Sequence, residues 1–512
     1  MIVRSSEING PVRESADVCI VGSGCGGGAS AKVLAEAGKK VIVLEEGGYY
    51  TSKDFDATEQ SAYQHLYQQR AGQATDDLGV TVLQGRCVGG SSTVNWTTSL
   101  RTPDFVLEAW KRDHGVQGLS PKELEPYFER VEQYLNIHTE PFENHNPNNR
   151  IILDGAKKLG YRASAVGRNT KECVKAGACG LGCPFDAKKT VAITYIPDAV
   201  KSGATVLANF RANKIEVSGT TKRVSGIVFV QETGKPKTNF IIEAPVVIVS
   251  ASAINSPVLL LKSNLANSSG ELGKNLTFHL TSAVLGVFDQ IMYGAGGIPQ
   301  SAMSDEFLNK NRDDGGFWLE AVPIYPTLAA LALPGFGLAH RELLHQYSYI
   351  GATIILVKEV DSSGQVTVND HGRASISYTL RDNDLGYLKQ GVGVAARVQF
   401  AAGAKRVMTL HARLTEFESP EEIDPKLAAS RWGMNEIGLY SAHPLGTCRM
   451  GSDPQHSVVD EHCQTHDVKG LFVIDGSVTP TSLGVNPQVT ILAIAEKNAK
   501  WIAGNFASVK VQ

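Results

Sequence analysis

The sequence predicts an α/β protein that combines a parallel-sheet domain with a second domain built on a mostly antiparallel sheet. An apolar strand, a glycine-rich turn, a helical segment and a second apolar strand follow one another within residues 17–45. This order is typical of a βαβ unit in a parallel sheet. Apolar runs at 245–250 and 471–474 predict further buried strands. Strand-like runs separated by turn residues fill much of 280–440, which indicates the antiparallel sheet.

The composition is that of an ordinary globular protein. The chain has 512 residues, more than one hydrophobic core usually supports, so we expect two or three domains. Hydrophobic residues make up 42% and charged residues 20%, which argues against a disordered chain and a polytopic membrane protein. With 49 basic and 52 acidic residues the net charge is −3, so we expect no nucleic-acid partner.

The compartment is inferred from the N-terminal segment and from the cysteines. Residues 1–16 are polar and mixed in charge, unlike a secretory signal. No apolar run approaches the ~18 residues of a membrane span. Eight cysteines in a chain of this length do not suggest a disulfide scaffold. We therefore expect a cytoplasmic protein, with association to a membrane surface left open.

The first glycine motif predicts a site for a phosphate-bearing cofactor. Gly22, Gly24 and Gly27 form G-x-G-x-x-G after the first strand, and Glu45 ends the second strand 18 residues later. In this fingerprint the first glycine makes the tight turn and the second lets the backbone approach a pyrophosphate. The third packs the helix on the strand, and the helix N-terminus faces the phosphate charge. Glu45 is expected to accept hydrogen bonds from a ribose.

A second glycine cluster occupies 85–95 and is dense in hydrogen-bonding groups. Its candidate cofactor contacts are Gly85, Arg86, Gly89, Gly90, Ser91 and Asn95. Such a loop can wrap a phosphate or the edge of a flavin ring system, although the same composition also suits a surface loop.

The densest group of motifs lies in the last 70 residues. His443 belongs to a Ser-Ala-His-Pro-Leu-Gly stretch, and the apolar strand at 471–474 is followed by Asp475 and Gly476. Asn486, Pro487 and Gln488 then open a helical segment. An acid at a strand end beside a helix N-terminus suits a phosphate or ribityl chain.

The remaining elements are read from apolar and β-branched runs. We expect strands at 40–44, 205–207, 224–230, 282–288, 350–357 and 374–378, and helices over 29–37, 384–403 and 489–499. Residues 252–257 are expected to end the strand at 245–250, with a helix beginning at Val258 after Pro257.

Taken together, these blocks resemble the glucose-methanol-choline (GMC) oxidoreductase family, whose members use FAD. The N-terminal unit and the blocks 85–95, 247–279 and 441–497 match the family in order and spacing, so the similarity spans nearly the whole chain. Two positions depart from the family pattern, because Asn264 replaces a glycine and Glu46 replaces an alanine. The resemblance implies the GMC fold, in which a Rossmann-like FAD-binding domain carries a substrate domain built on a mostly antiparallel sheet.

The resemblance also implies a division of the chain. It places 1–100, 190–280 and 441–512 in a discontinuous FAD-binding domain, and 101–189 and 281–440 in a substrate-binding or cap domain. Ala212 falls where the family usually has a small apolar residue beside the adenine. Val94 stands where some members link a histidine to the flavin, so we expect FAD to be bound noncovalently.

Two branches of the family suggest the substrate class. The segments 179–183, 317–320, 328–334 and 340–344 look like long-chain alcohol oxidases, whereas 443–446 and 484–490 are similar to the cholesterol oxidase tail. Both branches imply a lipophilic alcohol. We expect a long-chain primary alcohol oxidised to its aldehyde, with a hydroxysteroid oxidase as the alternative. The apolar stretch 321–338 would then line a substrate tunnel, contact a membrane or belong to the core.

The family reaction passes a hydride from carbon to flavin N5 and releases the hydroxyl proton. The resemblance makes His443 the base, and the pKa of a histidine suits that task. Asn486 would donate to the substrate oxygen, where negative charge develops. Glu320 stands among apolar residues, so burial would raise its pKa and could make it a second base, or it could be an ordinary surface or ion-paired glutamate.

Three cysteines leave another alternative open. Cys173, Cys179 and Cys183 resemble the segment that holds an iron–sulfur cluster in the membrane-linked glucose dehydrogenase branch. A cluster there would make the chain a dehydrogenase subunit that passes electrons to a cytochrome or another acceptor protein. The simpler interpretation is a loop with free thiols, and we predict no metal site. The same applies to His462, Cys463 and His466, whose spacing also suggests a metal motif.

Overall fold

The structure is a computed structural model that describes residues 1–231, 233–308 and 315–510. The strands, in chain order, are β1 (Ile2–Val3), β2 (Val12–Ser15), β3 (Val18–Val21), β4 (Val41–Glu45), β5 (Val80–Val82), β6 (Ile137–Thr139), β7 (Ser164–Ala165), β8 (Gly167–Asn169), β9 (Thr205–Ala208), β10 (Phe210–Ser218), β11 (Thr221–Phe229), β12 (Pro236–Ala244), β13 (Val246–Val249), β14 (Thr281–Val287), β15 (Ala302–Ser304), β16 (Phe317–Ala321), β17 (Ile350–Val357), β18 (Ser363–Val368), β19 (Ala374–Thr379), β20 (Arg406–Thr409), β21 (Glu416–Phe417), β22 (Leu439–Ser441) and β23 (Leu471–Val473).

The α-helices range in length from 4 to 21 residues. They are α1 (Cys25–Glu36), α2 (Glu59–Leu66), α3 (Asp104–His114), α4 (Pro121–Tyr134), α5 (Pro147–Lys158), α6 (Tyr195–Lys201), α7 (Ser252–Ser263), α8 (Pro326–Ala332), α9 (Gly337–His345), α10 (Asp382–Ala402), α11 (Ile423–Ala429), α12 (Gln488–Gly504) and α13 (Phe506–Val509).

A parallel sheet carries the first core, as the apolar strand runs predict. Its strand order is β1-β9-β4-β3-β13-β23, and every neighbouring pair is parallel. The four residues of β3 are all buried, which is expected of a strand covered on both faces. Helices α1 and α12 pack against each other beside it. A separate sheet, β10-β11-β12-β2, flanks this core.

The second domain is built around a mostly antiparallel sheet. Its path is β21-β20-β14-β17-β16-β15-β7, with β22 joining β14 to β5. Strands β16 and β17 are buried along their whole length, and helices α5 and α10 pack on the sheet. The expected α/β class with a parallel and a mostly antiparallel sheet is therefore confirmed.

The predicted domain boundaries stay a prediction. Helices α3 and α4, which fall in the predicted cap segment 101–189, contribute Trp110 and Phe128 to the core of the parallel sheet. Val80 and Val82 of β5, in the predicted FAD segment, belong to the core of the antiparallel sheet. Both packings follow from β5 pairing with β22 and from α4 packing on α12.

Two helix starts differ from the sequence prediction. Helix α1 begins at Cys25 rather than at 29, so it includes glycines that we read as turn. Helix α7 begins at Ser252 rather than at Val258, with Pro257 inside it. Proline has no N–H to offer the carbonyl of Ala253 one turn earlier. The Thr447 hydroxyl donates to that carbonyl at 2.6 Å, which makes the proline tolerable there.

Candidate active site

A cavity of about 1040 Å³ lies between the parallel sheet and the antiparallel sheet. It brings together both glycine clusters, the C-terminal motifs and Glu320. Every candidate residue predicted from the sequence lines this cavity except Gly27 and Gly89. Sequence segments more than 400 residues apart therefore meet at one site.

The first glycine motif has the geometry that its fingerprint predicts. Gly22 has φ 101°, and a Cβ on it would lie 2.1 Å from the Ser250 carbonyl oxygen. A Cβ on Gly27 would lie 1.9 Å from the Gly22 carbonyl oxygen, so Gly27 packs behind the wall of the cavity. A Cβ on Gly24 would meet nothing closer than the Cα of Gly90, at 3.9 Å. Gly24 caps α1, so the N-terminus of the helix opens onto the cavity.

Glu45 connects the two glycine clusters. Its carboxylate accepts hydrogen bonds from the backbone N–H of Ser23 at 3.1 Å and from the Ser23 hydroxyl at 2.6 Å. That hydroxyl in turn accepts from the backbone N–H of Gly89 at 3.1 Å, which explains why Gly89 lies behind the wall. Burial raises the pKa of Glu45. Its other oxygen accepts one bond, from the N–H of Gly47, so it keeps a lone pair toward the cavity for the predicted ribose contact.

The second glycine cluster packs directly on the first. Gly90 has φ 55°, and a Cβ on it would lie 2.9 Å from the Cα of Gly24. The backbone N–H of Gly85 donates to the Ser91 hydroxyl at 3.0 Å, and the Asn95 amide donates to Gln488 at the start of α12. The surface-loop interpretation of 85–95 is thus not favoured by this packing.

Arg86 and Ala212 also line the cavity, and Arg86 belongs to a charged cluster. Arg86 and Arg211 both donate to Glu46, at 2.9 and 2.7 Å. Burial alone would raise the pKa of Glu46, but the two guanidinium groups bring it below its usual value. Sequence reasoning noted Glu46 only as a departure from the family pattern and assigned no role to Arg211.

Asp475 is occupied by protein groups. One carboxylate oxygen accepts from the N–H of Ser252 at 2.9 Å and from the Ser256 hydroxyl at 2.5 Å. The other accepts from the N–H and hydroxyl of Ser477, at 2.8 and 2.5 Å. Because both oxygens are saturated, a contact from this position to a cofactor would come from the main chain. Gly476, Pro487 and the N-terminus of α12 line the cavity beside it.

His443, Asn486 and Glu320 form a connected polar cluster in this cavity. The Asn486 amide nitrogen Nδ2 lies 3.4 Å from His443 Nε2 and 3.4 Å from Glu320 Oε2. Glu320 also accepts from Trp318 Nε1 and from Gln300 Nε2, both at 2.8 Å. The Asn486 carbonyl oxygen is buried without a partner inside the described protein. It is therefore free to bond a group bound in the cavity.

Burial shifts the two titratable groups of this cluster in opposite directions. Glu320 is fully buried on β16, and burial raises its pKa to about 7 against the opposing bonds from Trp318 and Asn486. Burial lowers the pKa of His443 to about 4. Glu320 is therefore not the surface or ion-paired residue of the simpler interpretation. A carboxyl group with this pKa can exchange a proton near neutral pH.

His279 is a further residue of the site to which the sequence analysis assigned no role. His279 lies just before β14, is fully buried, and places Nδ1 3.1 Å from Nδ1 of His443. Its Nε2 accepts from the backbone N–H groups of Leu483 at 2.9 Å and Gly484 at 3.2 Å. The sequence offered only its place at the end of the family-like block 247–279.

Beyond the polar cluster the cavity wall is apolar. Val322, Ile324, Leu328, Leu333, Ile354 and Leu356 line this part. Leu328 and Leu333 come from α8 and its C-terminal end, within the apolar stretch 321–338. The same segment carries exposed apolar side chains on its other side, namely Leu331, Phe336 and Leu338. We call these three residues the outer apolar face.

The cysteines and the histidine pair are engaged in separate contacts. Cys179 is buried, and its sulfur accepts from Arg168 at 3.9 Å, while Cys173 and Cys183 are partly exposed free thiols. His462 stacks on Trp501, and His466 bonds Ser457. Within residues 1–231, 233–308 and 315–510, no group of three or more His, Cys, Asp or Glu side chains could hold a metal ion. The iron–sulfur alternative thus receives no support from the arrangement of these side chains.

The described part of the chain contains no helix that is long and apolar enough to cross a membrane.

The residues that line the cavity fit FAD. The open approach to Gly24 and the N-termini of α1 and α12, which line the cavity, suit a pyrophosphate. Glu45 keeps a lone pair for a ribose. Val94 lines the cavity and has no nucleophilic group that could form a bond to a flavin. The unpartnered side-chain oxygen of Asn486 adds a polar contact.

Comparison with known protein families gives two matches along the chain. The N-terminal model of the GMC oxidoreductases matches residues 22–281, and the C-terminal model matches 360–495. Two long-chain-alcohol oxidases of Arabidopsis thaliana, FAO4B and FAO3, are each 30% identical to this chain over 94% of its length. The chain spans about two thirds of their length, 66% and 67%. An uncharacterized GMC-type oxidoreductase of Mycobacterium tuberculosis is 32% identical over 94% of this chain and 74% of its own.

Solved structures agree on the fold. A pyridoxine 4-oxidase has a TM-score of 0.70 at 20% identity, covering 95% of this chain and 98% of its own. A formate oxidase has a TM-score of 0.72 at 16% identity, covering 98% of this chain and 100% of its own.

Proposed function

The chain belongs to the GMC oxidoreductase family, a family of FAD-binding flavoproteins, and we propose that it oxidises the CH–OH group of a lipophilic alcohol, most specifically a long-chain primary alcohol, to the aldehyde. The observation that carries this proposal is the meeting of three features in one cavity. The cavity is lined by the two glycine clusters, by the polar cluster of His443, Asn486 and Glu320, and by an apolar wall. A carbon–oxygen group bound at the cluster would have its chain against the apolar wall.

The chemistry divides between cofactor and protein. When bound, FAD supplies the acceptor for the hydride. The alcohol oxygen would form hydrogen bonds to both His443 Nε2 and Asn486 Nδ2, two atoms that lie 3.4 Å apart on the cavity wall. An N–H donor at that place stabilises negative charge as it develops on oxygen. The hydroxyl proton goes to one of the two titratable groups of the cluster, His443 or Glu320.

The substrate class follows from the apolar wall and the relatives. No charged side chain other than Glu320 is among the groups we place at the reacting oxygen, and the adjoining wall is built from aliphatic residues. The relatives at 30% identity are long-chain-alcohol oxidases. Together these favour an unbranched apolar chain over a sugar.

We further propose that the outer apolar face contacts a lipid bilayer, from which the substrate enters. Leu331, Phe336 and Leu338 are 79%, 92% and 71% exposed, on the segment whose inner side lines the cavity. Exposed apolar groups concentrated in one short segment are typical of an interaction surface. The inner side of this segment lines the cavity where we place the substrate. A lipophilic alcohol dissolves in a lipid bilayer, so a bilayer is the partner of the outer apolar face that would also deliver the substrate.

The membrane proposal is tested with phosphatidylcholine vesicles. The triple variant Leu331→Asn, Phe336→Asn and Leu338→Asn should sediment with vesicles at least about tenfold less than the parent, since each apolar side chain adds about 1.5–3 kcal/mol on full burial. The control is Leu78→Asn, which removes a leucine that is 76% exposed in the turn before β5. Equal sedimentation of parent and triple variant would overturn the proposal.

The activity is tested by the absorption spectrum of the FAD-loaded protein without oxygen. A long-chain primary alcohol should bleach the flavin bands, and fast recovery on admitting air would favour an oxidase over a dehydrogenase. His443→Leu should slow this bleaching, whereas His456→Leu, which removes an exposed histidine, should not. Flavin that is bleached by a hydroxysteroid and not by long-chain alcohols would replace the substrate proposal by the sterol alternative. Flavin that no alcohol bleaches would refute it.

A further inference from the structure

The hydrogen bonds around His279 determine where His443 carries its proton. We propose that His279 is a positioning residue that holds His443 in the tautomer protonated on Nε2, so that His443 donates to the substrate oxygen and Glu320 takes the hydroxyl proton. This inference rests on the proposed oxidation of an alcohol at this site. It assigns the role of hydrogen-bond donor to His443 and the role of base to Glu320.

The first step concerns Nε2 of His279. This nitrogen accepts hydrogen bonds from two backbone N–H groups, those of Leu483 at 2.9 Å and Gly484 at 3.2 Å. A backbone N–H can only donate. Nε2 of His279 therefore carries no proton. Burial, with smaller contributions from His443 and Lys358, holds the pKa of His279 well below its usual value, so the ring is neutral. A neutral imidazole has one N–H, which must be on Nδ1.

The second step passes this constraint to His443. The two Nδ1 atoms are 3.1 Å apart, and two ring nitrogens can share a hydrogen bond only when one of them carries the proton. His279 carries it, so Nδ1 of His443 is the acceptor. His443 is neutral at physiological pH, because burial lowers its pKa to about 4. Its one proton is therefore on Nε2, the nitrogen that faces Asn486.

The third step is the consequence for the reaction. His443 Nε2 and Asn486 Nδ2 are both donors, so they do not bond each other across their 3.4 Å separation. Two donors at this distance can share one acceptor, and the alcohol oxygen would be that acceptor. Nδ1 of His443 accepts the bond from His279, and Nε2 already carries a proton, so neither nitrogen can accept the hydroxyl proton. The proton therefore goes to Glu320. With FAD bound to accept the C–H electron pair as hydride, the balance would be complete: the O–H proton moves to a Glu320 oxygen, and C–O becomes C=O while His443 stays neutral.

A buried carboxylate keeps this arrangement rigid. Glu359 Oε1 accepts from the backbone N–H groups of Phe278 at 2.8 Å and Leu280 at 3.0 Å, on either side of His279. Its other oxygen accepts from the Ser482 hydroxyl at 2.7 Å, next to Leu483. Glu359 thus ties the segment that carries His279 to the segment whose N–H groups fix its proton.

The direct test is ¹⁵N NMR of the FAD-loaded protein labelled at histidine, without substrate. The His443 signals are assigned by their loss in His443→Leu. For His443 we expect an unprotonated Nδ1 and a protonated Nε2. A protonated Nδ1 of His443 would overturn the proposal. In His279→Phe, His443 should lose the fixed tautomer and populate both. Should that variant fail to fold, the spectrum of the parent still decides.

The functional test compares two replacements of His443 with each other. Glutamine keeps an N–H donor but cannot accept a proton as a base, whereas leucine does neither. Removing one oxyanion donor costs roughly 10²–10³ in rate, so His443→Leu should reduce flavin that much more slowly, and His443→Gln should recover at least about tenfold of the loss. Equal rates for both variants would identify His443 as the base and overturn the inference. The NMR result needs no substrate, so failure of the proposed activity is distinguished from failure of this assignment.

Discussion

The pH dependence of flavin reduction should follow the ionisation of Glu320. The carboxylate must be ionised to accept the hydroxyl proton, and burial raises its pKa to about 7. The side chains that bond it, Gln300, Trp318 and Asn486, do not titrate. His443, whose Nε2 lies 3.4 Å from Asn486 Nδ2, is neutral because its pKa is about 4. Below the pKa most of Glu320 is protonated and inactive as a base. The rate of flavin reduction should therefore rise as the pH increases through that pKa.

The size of the change follows from that pKa. At about pH 6 roughly a tenth of Glu320 is ionised and at about pH 8 roughly nine tenths, so the rate should rise about tenfold between them. The assay is stopped-flow bleaching of the flavin bands by saturating long-chain alcohol without oxygen. It excludes the acceptor step, which has its own pH dependence.

A matched variant and an opposite outcome make the prediction sharp. Glu320→Gln should lose roughly 10²–10⁴ in rate and its pH dependence together, since a general base contributes about that factor. If His443 were the base, its pKa of about 4 would leave the rate flat above about pH 6. A flat profile in the parent enzyme would refute the assignment of Glu320.

Two further variants test the fold and the cofactor site. Thr447→Val should lower the free energy of unfolding by about 1–3 kcal/mol in denaturant titration, because the Ala253 carbonyl opposite Pro257 loses its 2.6 Å partner, while Thr447→Ser should be near the parent. Gly90→Ala should lower the ratio of flavin to protein absorbance, since its Cβ would lie 2.9 Å from the Cα of Gly24 at φ 55°. Gly38→Ala is the control, with φ 76° and no atom within 4 Å, and an equal loss of flavin in both would contradict the close-approach argument.

Most of the local structure could be predicted because it depends on nearest neighbours. Apolar runs flanked by glycine or polar residues located β3, β13, β17 and β23 to within two residues. The start of α1 was misplaced because Gly26 reads as a turn residue. A Cβ there would lie 1.8 Å from the carbonyl oxygen of Ile474, the residue that follows β23. Glycine is therefore required inside the helix by a residue more than 440 positions away in sequence.

The site divides in the same way. The burial of Glu320 could be anticipated because its sequence neighbours are apolar, and all five residues of β16 are buried. The role of His279 could not be predicted, because it depends on residues that are distant in sequence. His443 is 164 positions away, and the two backbone N–H groups that donate to His279 are just over 200 positions away. An isolated histidine before a strand carries no local signal for such partners.

The cysteine segment shows how a buried cation can be structural. Lys188 is fully buried, and its ammonium donates to the carbonyls of Thr93, Asn95 and Cys179 at 2.6, 3.0 and 2.6 Å. Burial lowers its pKa to about 8. Arg168 adds bonds to Thr97 at 2.9 Å and to Glu140 at 2.8 Å. Three carbonyls satisfy all three donors of an ammonium group, so this lysine fastens the cysteine segment to the second glycine loop. The cysteine segment therefore supports the cofactor cavity through its backbone, by the bond from Lys188 to the Cys179 carbonyl.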